Sequence, residues 1–412
     1  MVAVVMVASA LPVIERDAQG VCGYTCRAAH ALTINLHYAS RHSYDFLFYL
    51  NEGNPLSFRG RHPAWSKVVA LAHALFVRNS ELALYIDQDA FINNPSISLT
   101  TWLRRATAYQ QLTSLMPLAR HHNETVLSIL DNAPYAWDTD NVTGQRRFAC
   151  TGIMAVRRLA ATHCFLSHWW FNSARLAACP IARGPRWSCP DFEVDHDWEQ
   201  GPLNGVYLMN RTIKRRIAVL SEPSMYRREA VEPRKAHALV AETSAAAPVS
   251  QSSGQQYFLH LTGNRVPSMS GRAVIFRARR AGGISRSHGT MEHYDGGRGA
   301  YLLLRDALLR GVELQARPHD QAAGQADGPR AVNSQLDDLV RESAACLLAN
   351  GTGQRTHCKA AGLGGTFEWF ALNRPSAVAE VWRRAELALT PARWTLDDRR
   401  FCRGLQGLPM LQ

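Results

Sequence analysis

Three groups of side chains in this sequence have the types and spacing to do chemistry together. The first is Asp87-Gln88-Asp89, two carboxylates at i and i+2. The second is Glu199-Gln200, an acid beside an amide. The third is His260, three residues before Gly263, with Arg265 two residues further on. Carboxylates bind hard divalent cations, and a carboxylate set joined by an imidazole suits Mn²⁺ better than an all-oxygen Ca²⁺ cage. A metal held this way can in turn hold a diphosphate. Arg265 offers a phosphate a planar fork of donors.

Each group also has a plainer reading. An isolated D-x-D is usually an acidic turn after a strand. His260 on an apolar strand is usually a hydrogen-bonded core histidine, and Glu199-Gln200 can open a helix with a solvated face. What favours chemistry at Asp87 and Asp89 is the apolar sequence on both sides, Leu82 to Ile86 before and Ala90 to Ile92 after. Ionised carboxylates inside such a segment are costly unless a partner compensates them.

The elements that must position these groups follow from hydrophobic periodicity. Val2 to Ala8 is a continuous apolar run suited to a strand covered on both faces. Cys26 to Arg41 reads as a helix, Asp45 to Leu50 as a second buried strand, and Pro63 suits the first turn of another helix. The strand ending in Asp87 completes a β-α-β-α-β order, which predicts a parallel sheet with right-handed crossovers. No GxGxxG follows the first strand, so the usual dinucleotide-binding site is not expected. Residues 99–121 and 159–177 read as helices. Phe148 to Val156 reads as a strand, in which Gly152 marks either a bulge or a close approach by a ligand. Val206 to Met209 and Ile217 to Leu220 are short strand candidates, and His260 sits on a strand of its own. Residues 229–256 form an Ala/Ser/Gln-rich surface insertion without apolar period. A Gly/Arg-rich linker with a short helix at Tyr301 to Leu309 spans 266–332, and a small, mostly helical region follows at 333–412. The organisation expected is therefore one α/β domain over 1–265 with a C-terminal appendage.

With 46% hydrophobic and 19% charged residues over 412 positions, the chain belongs to the globular class. Its formal charge of +12 suits an anionic partner such as a nucleotide diphosphate, an acidic polymer or a membrane surface. It also suits simple compositional bias, because Lys67, Lys214, Lys235 and Lys359 are the only lysines and the excess is almost all Arg. No nucleic-acid-binding module is recognisable, so nucleic acid is not an expected partner. The nine cysteines contain no paired CxxC zinc pattern, and Cys179 and Cys189 bracket a loop that a bridge can close. Sequons at Asn123, Asn141, Asn210 and Asn350, with the scattered cysteines, favour an oxidising lumen. No apolar run reaches the ~18 residues of a membrane span. Membrane attachment would need an anchor outside this chain.

Several motifs, in order, resemble those of the family 34 glycosyltransferases, which include plant xyloglucan xylosyltransferases, galactomannan galactosyltransferases and yeast α-mannan polymerase subunits. Trp65-Ser66-Lys67, a helix, then Asp87-Gln88-Asp89-Ala90-Phe91-Ile92 is similar to their W-x-K, helix, W-D-x-D-A-x-I pattern. Thr151-Gly152 through Arg157 resembles an N-x-G-x-x-x-x-R strand, Asp197-Trp198-Glu199-Gln200 a W-x-E/D-Q segment, and His260 to Gly263 an H-F-x-G close. The likeness covers residues 1–265. It implies a GT-A-type (Rossmann-like) nucleotide-diphospho-sugar transferase domain and a retaining transfer of a hexose or pentose. The donor would be UDP- or GDP-linked, the acceptor a glycan, the cofactor Mn²⁺ or Mg²⁺, and the setting the Golgi or secretory-pathway lumen. By the same matching Asp87, Asp89 and His260 would bind the metal. Lys67, Asp87, Gly152, Gly263 and Arg265 would contact the donor. Gln200, or else Glu199, would steady positive charge at the anomeric carbon. Lys67 is equally readable as a solvated helix residue, and Trp137 and Trp198 either stack on the acceptor or pack in the core. Thr151 departs from the family's Asn, and a non-catalytic glycan-binding protein on the same fold is the competing function.

Overall fold

Seven apolar residues, Val2–Ala8, form strand β1, and every side chain from Ala3 to Ala8 is buried. The computed structural model describes residues 1–8, 24–51, 63–92, 94–104, 126–131, 149–172, 199, 202–208, 210–220, 226–228, 258–260, 329–348, 352, 354, 366–372, 374–388 and 394–408. After β1 come helix α1 (Tyr24–Arg41) and strand β2 (Asp45–Leu50). A tight turn at Pro63–Trp65 leads into α2 (Ser66–Ala72), which continues as a π-helical turn, His73–Val77. Strand β3 (Leu82–Asp87) is followed at once by β4 (Ala90–Ile92). Then come β5 (Leu127–Asp131), β6 (Ala149–Arg157) and α3 (Ala160–Asn172). A second π-helical turn, Leu203–Tyr207, precedes the short α4 (Arg211–Lys214) and the strands β7 (Ile217–Leu220), β8 (Tyr226–Arg228) and β9 (Phe258–His260). Helix α5 (Pro329–Leu348), strand β10 (Phe367–Ala371), α6 (Pro375–Leu387) and α7 (Leu396–Gln406) complete the described chain.

The main sheet runs β10-β2-β1-β3-β6-β5-β7. It is mixed rather than all parallel: β6 runs antiparallel to both β3 and β5, while the other neighbours pair in parallel. Strand alternation divides the core in two. Val5, Val7, Leu47, Tyr49, Ala83 and Tyr85 face Val68 and Leu71 of α2 and Phe165 and Trp169 of α3. Val4, Met6, Phe46, Phe48, Leu84 and Ile86 face Leu32 and Leu36 of α1 and Val340 and Leu347 of α5. Helices thus cover both faces, an α/β fold. Full burial of a side chain such as Phe48 or Ile86 contributes about 1.5–3 kcal/mol. A second sheet, β4-β9-β8, begins two residues after β3 ends, so Gln88 and Asp89 are the hinge between the sheets.

Four expectations need correction or extension. Of the strand read at Val206 to Met209, the described residues 206–208 do not extend: Leu203, Val206 and Tyr207 are buried at i, i+3 and i+4, a helical face, and residues 203–207 wind as a π turn. Asn210 then caps α4, its side chain accepting from the N–H groups of Thr212 and Ile213. Strands β5 and β10 have no counterpart in the sequence reading. The helix read at 99–121 is described over its first turns, to Arg104. Nor does the stretch 333–412 sit apart. Phe367–Ala371 pairs with β2 as an outer strand of the main sheet, Cys402 on α7 is disulfide-bonded to Cys164 on α3, and Asp398 lies 2.9 Å from Arg216. Trp137, Trp198, the Cys179 to Cys189 loop, the 229–256 insertion and the Tyr301 to Leu309 helix lie outside the described residues.

Candidate active site

Strand β3 delivers Tyr85 and Asp87 to the same face of the sheet, because side chains two apart on a strand point the same way. That face is the one α2 covers, and α2 brings Lys67 to it. The solvated reading of Lys67 is wrong: the residue is 4 % exposed. Its Nζ lies 3.2 Å from Asp87 Oδ1 and 2.8 Å from Glu199 Oε1. It also approaches the Thr151 carbonyl and hydroxyl oxygens, each at 3.4 Å, and stands 5.2 Å from the Tyr85 ring centre. Glu199, 1 % exposed, is not a solvated helix start either. The Thr151 hydroxyl donates to Glu199 Oε1 at 2.5 Å, and Trp169 Nε1 on α3 donates to the Glu199 carbonyl at 3.0 Å. The Tyr85 hydroxyl donates to Asp87 Oδ1 at 2.5 Å.

Burial alone would lower the Lys67 pKa, but Asp87 and Glu199 outweigh it and hold the ammonium above its ordinary value. Lys67 is therefore charged throughout the accessible pH range. Burial, and then the Asp87 carboxylate, push the Tyr85 phenol well above its ordinary value, so it stays protonated and remains a donor. One ammonium faces two carboxylates, with Asp89 two residues beyond the first. Among the described residues Glu199 Oε2 is buried without a hydrogen-bond partner. A carboxylate oxygen so placed has room in its hydrogen bonding for a donor such as water or a bound molecule.

The turn carrying Asp89 is held from α1. Asn35, buried on α1, donates its amide N–H to the Ala90 carbonyl at 3.1 Å and accepts from the Ile92 N–H at 3.1 Å. Antiparallel pairing sets His260 of β9 opposite Ala90, one residue past Asp89. In turn Arg228 of β8 lies opposite His260. Gly152 follows directly on the Ile86–Ile153 pair, level with Asp87. It lies in an irregularity: along β5 the partner of Ile129 is Met154 but the partner of Leu130 is Cys150, so residues 151–153 have no partner on β5, while Ile153 keeps its pairing with Ile86 on β3. Bulges commonly re-aim side chains beside active sites, and this one turns Thr151 toward Lys67 and Glu199.

Of the residues singled out from the sequence, Lys67, Asp87 and Glu199 touch or nearly touch, with Gly152 alongside and Asp89 at the next turn. His260 is placed by its backbone alone. Gln200, Gly263 and Arg265 lie outside the described residues. Sequence reasoning missed Tyr85, Trp169 and Asn35 as members of the site. The signal for Tyr85 was its position two residues before Asp87 on one strand face, and for Asn35 an amide spaced i±4 from the buried Ala31 and Ala39 of α1.

No family model and no curated protein matches the sequence. Among solved structures, the chain is similar to a glycosyltransferase involved in the glycosylation of the major capsid of PBCV-1. The two are 15% identical, the overlap covers 64% of this chain and 94% of that one, and the TM-score is 0.33. It is also similar to mouse xyloside xylosyltransferase 1 in its apo form, at 11% identity, 63% and 96% coverage and a TM-score of 0.32. Overlaps this loose do not establish kinship, and the site's own chemistry must carry the functional reading.

Proposed function

We propose that this chain is a metal-dependent, retaining glycosyltransferase of the GT-A type, moving a hexose or pentose from a UDP- or GDP-linked donor to a glycan. The observation that carries the reading is the convergence of Lys67, Asp87 and Glu199 from three separate elements where β3 ends, with Asp89 following and His260 one register step further on. Ligand sites of parallel α/β sheets lie at the carboxyl ends of their strands, and a nucleotide diphosphate is an anion that needs cations there.

The donor chemistry fits a divalent metal. Asp87 gives Oδ1 to Lys67 and Tyr85, which leaves Oδ2 for an ion, and Asp89 and His260 would complete the set. Among the described residues no three His, Cys, Asp or Glu side chains already converge on one point. In this reading the third ligand is His260. When bound, Mn²⁺ or Mg²⁺ supplies charge that stabilises the departing diphosphate. The protein's own groups do the rest. Tyr85 fixes the Asp87 carboxylate. Lys67, charged and shared between Asp87 and Glu199, would shift part of its interaction from both to the donor's phosphates. Glu199, with Gln200 next in the chain, presents negative charge toward the anomeric carbon as positive charge develops there. Gly263 and Arg265 are assigned to the donor's phosphates by the sequence resemblance. The Cys164–Cys402 bridge favours an oxidising compartment and so a Golgi or other secretory lumen. Among the described residues no helix is long and apolar enough to cross a membrane.

The test is release of UDP or GDP from a panel of nucleotide sugars with Mn²⁺, comparing the native protein with Asp89→Ala. The expected loss is about a hundredfold or more. Equal turnover by both proteins rejects the assignment. Glycan binding by calorimetry, without nucleotide or metal binding, would instead establish the lectin reading.

A further inference from the structure

We infer that Thr151 is a positioning residue for Glu199, holding its carboxylate in one orientation while Lys67 engages the donor. This rests on the glycosyltransferase reading. Thr151 lies in the stretch 151–153 that leaves the β5 ladder, and it is 2 % exposed, so water does not compete for its hydroxyl. A hydroxyl has one proton to give. Here it goes to Glu199 Oε1 at 2.5 Å, while the Thr151 oxygen receives the Lys67 ammonium at 3.4 Å. Trp169 fixes the main chain of the same residue from α3. Glu199 is thus anchored at its carbonyl and at Oε1, and among the described residues its Oε2 has no hydrogen-bond partner.

The role becomes necessary when the donor arrives. Lys67 is shared between Asp87 and Glu199. A diphosphate draws the ammonium away from both, and a carboxylate held by Lys67 alone would then turn. Thr151 is neutral, so an incoming anion does not attract it, and it keeps Oε1 in place.

The experiment measures kcat and KM for UDP or GDP release from UDP- and GDP-hexoses and pentoses with Mn²⁺, in the native protein and in Thr151→Val, Thr151→Ser and Thr151→Ala. Removing the hydroxyl in Thr151→Val is expected to lower kcat about 10–100-fold, the usual effect of losing an orienting partner, with KM within about twofold. Thr151→Ser restores kcat to within about threefold, since it keeps the donor and loses only a methyl group. The ratio of Thr151→Ser to Thr151→Ala, two small side chains differing by the hydroxyl, carries the same comparison if the valine protein does not fold. A valine or alanine variant with native kcat overturns the inference and leaves the glycosyltransferase reading standing. So does a serine variant as slow as valine or alanine. A native protein that neither binds nor turns over any donor overturns both.

Discussion

Lys67 is the residue on which the charge balance of the site turns. Its ammonium lies between one carboxylate that is almost fully buried and another that is partly buried, with Nζ at 2.8 and 3.2 Å from them. Taking away one member of a buried ion pair leaves an uncompensated charge, which costs about 3–5 kcal/mol. Lys67→Met is therefore expected to lower the urea-unfolding free energy by that amount. The double variant with Glu199→Gln should recover part of it, because the more deeply buried of the two surviving carboxylates is gone. Simple additivity of the two single variants would mean that the residues do not interact. Asp87 was visible in the sequence because a carboxylate inside an apolar run needs a compensating partner, whereas Lys67 and Glu199 were picked out by their resemblance to family motifs. What could not be read was which partner. The Thr151–Glu199 bond spans 48 residues and the Asn35–Ala90 bond 55, and contacts that distant leave no local pattern. Tyr85 and Trp169 look like core residues in the sequence, and they are core residues. Only the polar atom at the end of each ring belongs to the site.

At the scale of elements, the strands buried on both faces were the legible ones. Val2–Ala8, Asp45–Leu50 and Leu82–Asp87 carry apolar runs that only a covered central strand accommodates. Strand β10 escaped because Phe367-Glu368-Trp369-Phe370-Ala371 has an acid in its middle. Glu368 is nonetheless buried, paired with Arg78 290 residues earlier in the chain, and no sequence window joins the two. Helix α7 shows the converse. Its start, Thr395-Leu396-Asp397-Asp398, is a capping box, with Asp398 accepting from the Thr395 N–H and the Thr395 hydroxyl accepting from the Asp398 N–H. The other oxygen of Asp398 takes Arg216 at 2.9 Å, so one carboxylate both starts the helix and ties it to the strand that follows Arg216. The Cys164–Cys402 bridge joins α7 to α3, the helix whose Trp169 holds Glu199, across 238 residues. Replacing both cysteines by alanine is expected to lower stability by about 2–4 kcal/mol through the looser unfolded chain. Urea unfolding measures it. A double variant as stable as the native protein would show that noncovalent packing between α3 and α7 suffices.

The whole molecule stores a dependence on pH in histidines that its layers bury uncharged. Burial, and then Arg78 and Arg384, bring the His73 pKa down to about 3, where it packs against Phe370 of β10 and bonds the Tyr49 hydroxyl through Nδ1 at 2.8 Å. Burial brings His163 and His168 of α3 to about 4. In the unfolded chain all three would titrate near 6.5. Below that value the unfolded state binds protons that the folded state does not accept, so stability rises with pH there. The contribution of the neutral rings is whole above about pH 6.5. It is lost steadily as pH falls, until the folded-state values near 3 and 4 are reached. For His73 alone the loss by about pH 5 is about 2 kcal/mol, one and a half pH units at about 1.4 kcal/mol each, and the α3 histidines act in the same direction. The sequence shows sixteen histidines without saying which are buried, because that depends on how β10 and α3 cover the sheet. Urea-unfolding free energies measured from about pH 7 down to about pH 5 should therefore decline. His73→Gln, which keeps a polar partner for Tyr49 but takes up no proton, should flatten that decline by about 2 kcal/mol. An unchanged slope in the glutamine variant would mean that His73 is not held neutral by the fold, and that β10 does not cover it in solution.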